Sequence, residues 1–340
     1  MAAIEDIGID LGSSNILVYA RGKGIVLNEP SVLAVDHESR SVIAIGIEAY
    51  KMMGREPNNI EVVRPLQSGA IRDFDMLGIM LNHFVVMVIG KRVFSRPRAV
   101  LSISSTANEL EKRQLILGML EAGVRRTQLL SRPLAAAVGS GINVMPHVGH
   151  MIIDIGGANS HVAAIASGEI MTENTEIVGG DAFSDAIIRY VRLKHNLLIG
   201  TRTAEDIKCA IGTARNFGDA DISLPIAGRN LVSGLPKQID ITRNEVTEAM
   251  EDPMRTMLEG IRGVIERLPP ELANDVFDNG IMLTGGGAML KGLQEVISDD
   301  IKLPCFTADD PQECVAAGCG YVLERMEEFG ALLGDARRKK

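Results

Sequence analysis

The sequence predicts an α/β protein made of two related domains, and three observations predict it. The chain has 340 residues, 46% of them hydrophobic, which is length for about two domains and enough apolar material for a core in each. The segment IDLGSSNILVYARGKG (9–24) repeats as IDIGGANSHVAAIASG (153–168), a shift of 144 positions. A third glycine-rich element, GIMLTGGGAMLKGL, follows much later in the chain.

Seven of the sixteen aligned positions in the repeat are identical. Ile9, Asp10, Gly12, Asn15, Val18, Ala20 and Gly24 fall on Ile153, Asp154, Gly156, Asn159, Val162, Ala164 and Gly168. Each copy reads as an apolar strand, a glycine turn and a second apolar strand. Glycine tolerates positive φ and lets backbone N–H groups approach an anion, so two such hairpins facing each other would clamp a polyphosphate. Asp10 and Asp154 then sit where Mg²⁺ or its waters need oxygen ligands. One hairpin alone is more simply a tight turn containing an aspartate; the paired occurrence favours the phosphate reading.

In the third element an apolar strand at 280–283 enters Gly285, Gly286 and Gly287 and leaves into a helix, whose N-terminal N–H groups can receive a nucleotide. A triple glycine alone is weak, because many strand-to-helix turns use glycine for steric reasons. Between the elements lies TRTAEDIKCAIGTA, where Thr203 is placed to cap a helix and Glu205 and Lys208 share one face. That pair either grips a ribose hydroxyl or forms an ordinary surface ion pair worth about 0.3 kcal/mol.

Composition excludes other classes. A net charge of −9 argues against nucleic acid, whose non-specific binding needs clustered Lys and Arg. Cys209, Cys305, Cys314 and Cys319 lack CxxC spacing, and no charged and then apolar leader precedes MAAIEDIGIDLG. A reduced, cytoplasmic protein is expected. The longest apolar stretch, from Ile79 to Gly90, is interrupted by Asn82 and His83 and is shorter than the roughly 20 residues of a membrane span. Val93 and Phe94 lie between Lys91 and Arg92 on one side and Arg96 and Arg98 on the other. An apolar tip ringed by cations suits an anionic membrane surface; the alternative is a basic loop with Phe94 folded inward. The final RRKK reads as a solvated tail. The six histidines show no HExxH-like spacing for a transition metal, and His161 reads as a surface or packed side chain.

In this order the motifs resemble the actin and sugar-kinase superfamily, in which two duplicated α/β domains close on ATP, and within it the MreB-like family. The resemblance covers nearly the whole chain and is carried by DLGSSNILVYARGKGIVLNEPSVLAV, IGIEAYKMMGREPNNIEVVRPLQSGAIRDFD, DIGGANSHVAAI, IVGGDAFSDAII, LLIGTRTAEDIK, GRNLVSGLPKQIDI and MLTGGGAMLKGL. It implies a duplicated actin-like ATPase fold. One domain spans 1–145 plus 315–340, with a small subdomain at about 33–65; the other spans 146–314, with a small subdomain at about 182–245. It implies phosphate contacts from Gly12, Ser13, Ser14 and Asn15 and from Gly156, Gly157, Ala158 and Asn159. Adenosine would lie against Glu205, Lys208, Gly285, Gly286, Gly287 and Ala288, with ATP and Mg²⁺ as cofactors. Family members polymerise on the inner membrane and organise wall synthesis. The implied role is therefore rod-shape control, with partners in a second copy or an MreB-like relative, the inner membrane surface and membrane proteins of wall synthesis.

Two departures from the family pattern concern hydrolysis. MreB-like sequences carry two acidic residues before a proline where this chain has Ser131 and Arg132 before Pro133. By that pattern Arg132 replaces the carboxylate that orients the attacking water. A guanidinium has five donors and no acceptor, so it cannot take a proton. General-base help is worth about 10²- to 10⁴-fold, so hydrolysis is expected to be slow or lost, and no catalytic residue is assigned. With Pro133 opening a helix, Arg132 is a cation at a helix N-terminus, tolerable beside an anion. The terminal phosphate and Asp154 are the candidates, and a solvent-facing Arg132 in a degenerate cleft is the alternative. In the second departure, the amide of Asn159 replaces a hydroxyl near the terminal phosphate. Thr106 with Glu109 reads as a capping box. Three functions compete: a nucleotide-dependent filament protein, a non-polymerising regulatory pseudo-ATPase, and a small-molecule kinase, which lacks the carboxylate base it would need. A heat-shock-type chaperone would need a peptide-binding domain after this core.

Overall fold

The computed structural model describes residues 6–67, 69–90, 96–218 and 221–333. In the first half, β1 (Asp6–Leu11), β2 (Asn15–Ala20) and β3 (Gly24–Pro30) form an antiparallel meander. β4 (Leu33–Asp36), β5 (Val42–Ile45), α1 (Ile47–Met52) and β6 (Ile60–Val63) make a small sheet with one helix. The short pair β7 (Leu66–Gln67) and β8 (Ala70–Ile71) leads to α2 (Phe74–Ile89), β9 (Arg98–Ile103), α3 (Glu109–Glu121), β10 (Arg126–Ser131) and α4 (Arg132–Gly139).

The second half opens with the meander β11 (His150–Ile155), β12 (Ser160–Ala166) and β13 (Glu169–Glu176), then α5 (Gly180–His195). A small sheet of β14 (Leu197–Leu198), β15 (Ser223–Asn230) and β16 (Pro236–Thr242) surrounds α6 (Thr201–Ile211) in sequence. There follow α7 (Arg243–Ala249), α8 (Glu251–Ile265), α9 (Pro270–Asn279), β17 (Ile281–Thr284), α10 (Leu293–Ile301), β18 (Cys305–Thr307), α11 (Cys314–Glu324) and α12 (Met326–Phe329).

The two five-stranded sheets, β10-β9-β1-β2-β3 and β18-β17-β11-β12-β13, have the same build. Each adds two parallel strands beside the first strand of its meander. The repeat shift of 144 survives at the level of register. Asp10 lies opposite Leu17 and Asp154 opposite His161. The turns close identically, with the Gly12 N–H on the Asn15 carbonyl at 3.1 Å and the Gly156 N–H on the Asn159 carbonyl at 2.8 Å. Neither turn glycine has a positive φ, contrary to expectation. The requirement is steric, since a Cβ at Gly12 would come within 2.5 Å of the Asn15 carbonyl oxygen.

Strand alternation sorts side chains to opposite faces. Ile7 and Ile9 join Met80, Phe84 and Met119 on the outer face of the first sheet. Met151, Ile153 and Ile155 join Phe183, Ile187 and Ile261 on the outer face of the second. Ile152, Ala163 and Val100 instead point into a central layer filled by α4 and α11. These two helices touch backbone to backbone. A Cβ at Gly139 would lie 1.7 Å from the Cys314 carbonyl oxygen, and one at Gly318 would lie 1.9 Å from that of Ala135. The late helix α11 also packs on β1, β2 and β9 of the first sheet, where a Cβ at Gly8 would meet the Gly320 nitrogen at 2.4 Å.

Several local expectations shift. The capping box of α3 uses Asn108 and Glu111 rather than Thr106 and Glu109. α6 begins after Gly200, which leaves Thr203 inside the helix. The triple glycine enters a 3₁₀ turn (Gly286–Met289), and the helix proper starts at Leu293. The long apolar stretch lies in α2 with Met80, Leu81, Phe84 and Val85 buried, and no helix among the described residues is long and apolar enough to cross a membrane. Arg98, counted among the cations around Val93 and Phe94, is bound by its Nη2 to Asp6 at 2.6 Å in the sheet. Lys91, Arg92, Val93 and Phe94, and the RRKK tail, lie outside the described residues.

The central crossing gives a direct test. Gly318→Ala forces α4 and α11 apart and is expected to destabilise the protein by about 3 kcal/mol, the upper range for overpacking. Gly263→Ala in α8, whose added methyl meets nothing within 4 Å, is expected to stabilise by up to about 1 kcal/mol through helix propensity. Urea denaturation of both variants checks this.

Candidate nucleotide-binding cleft

A cleft of about 720 Å³ opens between the two halves, and both hairpin turns line it. The turns face each other so closely that a Cβ at Gly157 would sit 1.8 Å from the Ser14 Oγ. Gly12, Ser13, Ser14, Asn15, Gly156, Gly157, Ala158 and Asn159 all reach the cleft, as do Glu205, Lys208, Gly285, Gly286 and Gly287. Two expected residues do not. Asp154 is fully buried beneath the floor, and Ala288 packs into the core of the second half.

Arg132 settles at the centre of the floor, with its side chain 14% exposed. It is the first residue of α4, so the helix dipole opposes its charge, and two carboxylates supply the compensating anions. Its Nε donates to Asp154 Oδ2 at 2.6 Å; its Nη1 and Nη2 donate to Asp10 Oδ1 and Oδ2 at 2.5 and 3.2 Å. Ser102 Oγ donates to Asp10 Oδ1 at 2.9 Å, and Thr284 Oγ1 to Asp154 Oδ1 at 3.3 Å. One guanidinium thus bridges the two repeated aspartates. Of the placements open from sequence, the solvent-facing one is excluded and the Asp154 pairing is observed, with Asp10 added.

Asp10 and Asp154 were the expected ligands of Mg²⁺ or its waters, yet their facing oxygens are occupied by Arg132. Among the described residues no group of three or more His, Cys, Asp or Glu could hold a metal ion. Burial, the largest effect, pushes the Asp10 carboxyl above its ordinary range; Arg132 counters it and the Asp154 charge adds to it. Although burial alone would lower it, the two carboxylates hold the Arg132 guanidinium firmly charged.

His161 lies beside this cluster and is 5% exposed, so it is neither a surface side chain nor a free base. Burial, with a contribution from the Arg132 charge, lowers its pKa to about 4, and its Nδ1 lies 3.1 Å from the Thr175 hydroxyl. Asn159 lines the cleft with its Oδ1 buried and without a protein partner, an orphan that the donor of a ligand or water would satisfy.

Glu205 and Lys208 are not a loose surface pair. Lys208 Nζ bonds Glu205 Oε2 at 2.7 Å and the Gly180 carbonyl at 2.8 Å, and the Ser184 hydroxyl donates to Glu205 at 2.7 Å. Burial would raise Glu205, but Lys208 and Ser184 hold its carboxyl below the usual range. The network ties α5 to α6 on one wall of the cleft.

Sequence reasoning missed the groups that hold the mouth together. Arg64 Nη1 lies 3.3 Å from Asp181 Oδ2, and the Arg202 guanidinium stacks over the Tyr50 ring at 5.8 Å. Each contact joins the two halves, and none has a spacing signature because its members are more than a hundred residues apart. Ser102 and Thr284, which support the aspartates, did carry a signal: each follows or ends an apolar strand run, at the strand ends where α/β sites gather.

Removing the cation leaves two buried carboxylates facing each other. Arg132→Met is therefore expected to lose about 3–5 kcal/mol of stability, read by urea denaturation. His161 gives a pH test. Its folded pKa of about 4 lies below its ordinary 6.5, so its contribution is complete above pH 6.5 and lost as the pH falls towards 4. The loss amounts to about 3 kcal/mol, and His161→Gln should flatten the stability profile across that window by a similar amount.

Comparisons with known proteins agree with this architecture. Residues 4–331 match the family model described as MreB/Mbl protein. The cell shape-determining protein Mbl of Bacillus subtilis is 40% identical over 326 residues, covering 96% of this chain and 97% of Mbl. The cell shape-determining protein MreB of Escherichia coli is 39% identical over 332 residues, covering 96% and 95%. The crystal structure of MreB 5 of Spiroplasma citri bound to AMPPNP superposes with a TM-score of 0.90 at 34% identity, covering 95% of this chain and 96% of that one. The same protein bound to ADP gives 0.89 at 35% identity, covering 96% and 97%. The paired sheets, the facing glycine turns and similarity along nearly the whole length place this chain in the MreB/Mbl family.

Proposed function

We propose that this protein is a nucleotide-dependent filament protein of the bacterial actin-like cytoskeleton, acting in cell-shape determination. It binds ATP in the cleft and hydrolyses it slowly or not at all. The observation that carries the nucleotide reading is the meeting of two glycine turns, 12–15 and 156–159, across one cleft walled by Glu205 and Lys208. The AMPPNP and ADP complexes of the Spiroplasma citri relative support it, and the names of the Mbl and MreB relatives support the cell-shape role. Phosphates lie against the two turns, and adenosine against Glu205, Lys208 and Gly285 to Gly287.

Slow hydrolysis follows from Arg132. Three of its donors point to Asp10 and Asp154, and having no lone pair it cannot accept a proton from the attacking water. Filament assembly, with a second copy or an MreB-like relative, comes from the family resemblance. So does a peripheral place on the inner face of the cell membrane beside proteins of wall synthesis. Attachment there is assigned to Val93 and Phe94 flanked by Lys91 and Arg92.

Sedimentation with ATP and anionic liposomes, read beside electron microscopy and phosphate release, tests the proposal. Filaments should pellet with lipid when ATP is present, and reversing Lys91 and Arg92 to Glu should reduce that co-sedimentation. Phosphate release should be slow and rise by about a hundredfold in Arg132→Glu, the lower end of general-base assistance. Nucleotide binding without any polymer would favour the regulatory reading instead, and turnover by the wild type at an ordinary family rate would refute slow hydrolysis.

A further inference from the structure

Arg132 stands where a divalent cation would have to stand. Mg²⁺ demands near-octahedral oxygen ligands at about 2.0–2.1 Å, and the carboxylates of both hairpins are already engaged. Asp10 is held by both terminal nitrogens of Arg132, and Asp154 by its Nε. The supporting hydroxyls of Ser102 and Thr284 occupy further acceptor positions on the same carboxylates. A metal entering between Asp10 and Asp154 would have to expel a guanidinium that is 14% exposed and bound by three hydrogen bonds. The residues present do not fit Mg²⁺.

They fit a fixed cation instead. A guanidinium is charged at every physiological pH and carries five N–H groups. Three are engaged by the aspartates, so one on each terminal nitrogen remains, and Arg132 lines the cleft. Arg recognises phosphate through paired N–H groups of this kind. We infer that Arg132 is a built-in cation in the metal's place. It offsets one of the two aspartate charges and presents its two remaining N–H groups to the terminal phosphate, so nucleotide binding needs no divalent metal. The inference rests on the nucleotide-binding reading above and adds a metal requirement that is opposite in sign to the one expected from the aspartates alone.

Fluorescence titration of the full chain with mant-labelled ATP, in excess EDTA and in excess Mg²⁺, tests it. The two wild-type dissociation constants should agree within about threefold, whereas Arg132→Gln and Arg132→Glu should lose about tenfold or more in EDTA, the scale of one removed charge contact. Calorimetric titration with MgCl₂ alone should show no binding to the wild type and measurable binding to Arg132→Glu, whose third carboxylate supplies an oxygen donor. Wild-type binding that needs Mg²⁺ overturns the inference and leaves the nucleotide reading standing. Failure to bind under either condition overturns that reading, and the inference with it. Should both variants fail to fold, the wild-type pair of titrations decides alone.

Discussion

Two buried carboxylates of like charge, one from each half of the chain, are held by a single guanidinium. Asp10 and Asp154 are 3% and 0% exposed, and without a cation between them burial and mutual repulsion would force protonation or separation. Arg132 fills that place only because α4 begins there, and α4 is fixed in turn by its backbone contact with α11 at Gly139 and Gly318. The sheets, the central helices and the cleft floor are therefore one linked arrangement. A change at the helix crossing would be felt at the aspartates, and the reverse.

The duplication is topological and in register, yet its chemistry is unequal. Both hairpins keep the aspartate and the turn glycine, but Leu17 faces Asp10 where His161 faces Asp154. The helix that opens with Arg132 also has no counterpart cation at the start of α11, which opens with Cys314 after Glu313. A two-fold arrangement of anions is thus served by an off-axis charge, which gives the cleft a single polarity for a ligand whose two ends differ.

Much of this was legible in the residues. Seven identities at one fixed shift identified the repeated hairpins, because strand pairing preserves register and a one-residue slip would turn every side chain to the opposite face. The glycine turns, Glu205 and Lys208 were legible as a group for the same reason: close approach to an anion restricts which residues are tolerated. The partner of Arg132 was only half legible. Helix-dipole reasoning required an anion nearby and suggested Asp154, but pairing with Asp10, 122 residues away, depends on how two sheets meet. The starts of α3 and α6 were missed by two and three residues, since Thr106 and Asn108 satisfy the same local capping logic and tertiary packing selects between them, and the helix after the triple glycine begins only at Leu293. The contacts at the mouth, Arg64 with Asp181 and Tyr50 with Arg202, left no local trace at all.

The path of α11 bears on how this chain must be made. Synthesis proceeds from the N-terminus, and early domains commonly fold while later ones are still emerging. Here one face of β1, β2 and β9 is covered by a helix that begins at Cys314. The first sheet consequently stays half-clothed until residues 314–324 have been made, with an apolar face available to chaperones or to a neighbouring nascent chain while the whole second half is synthesised.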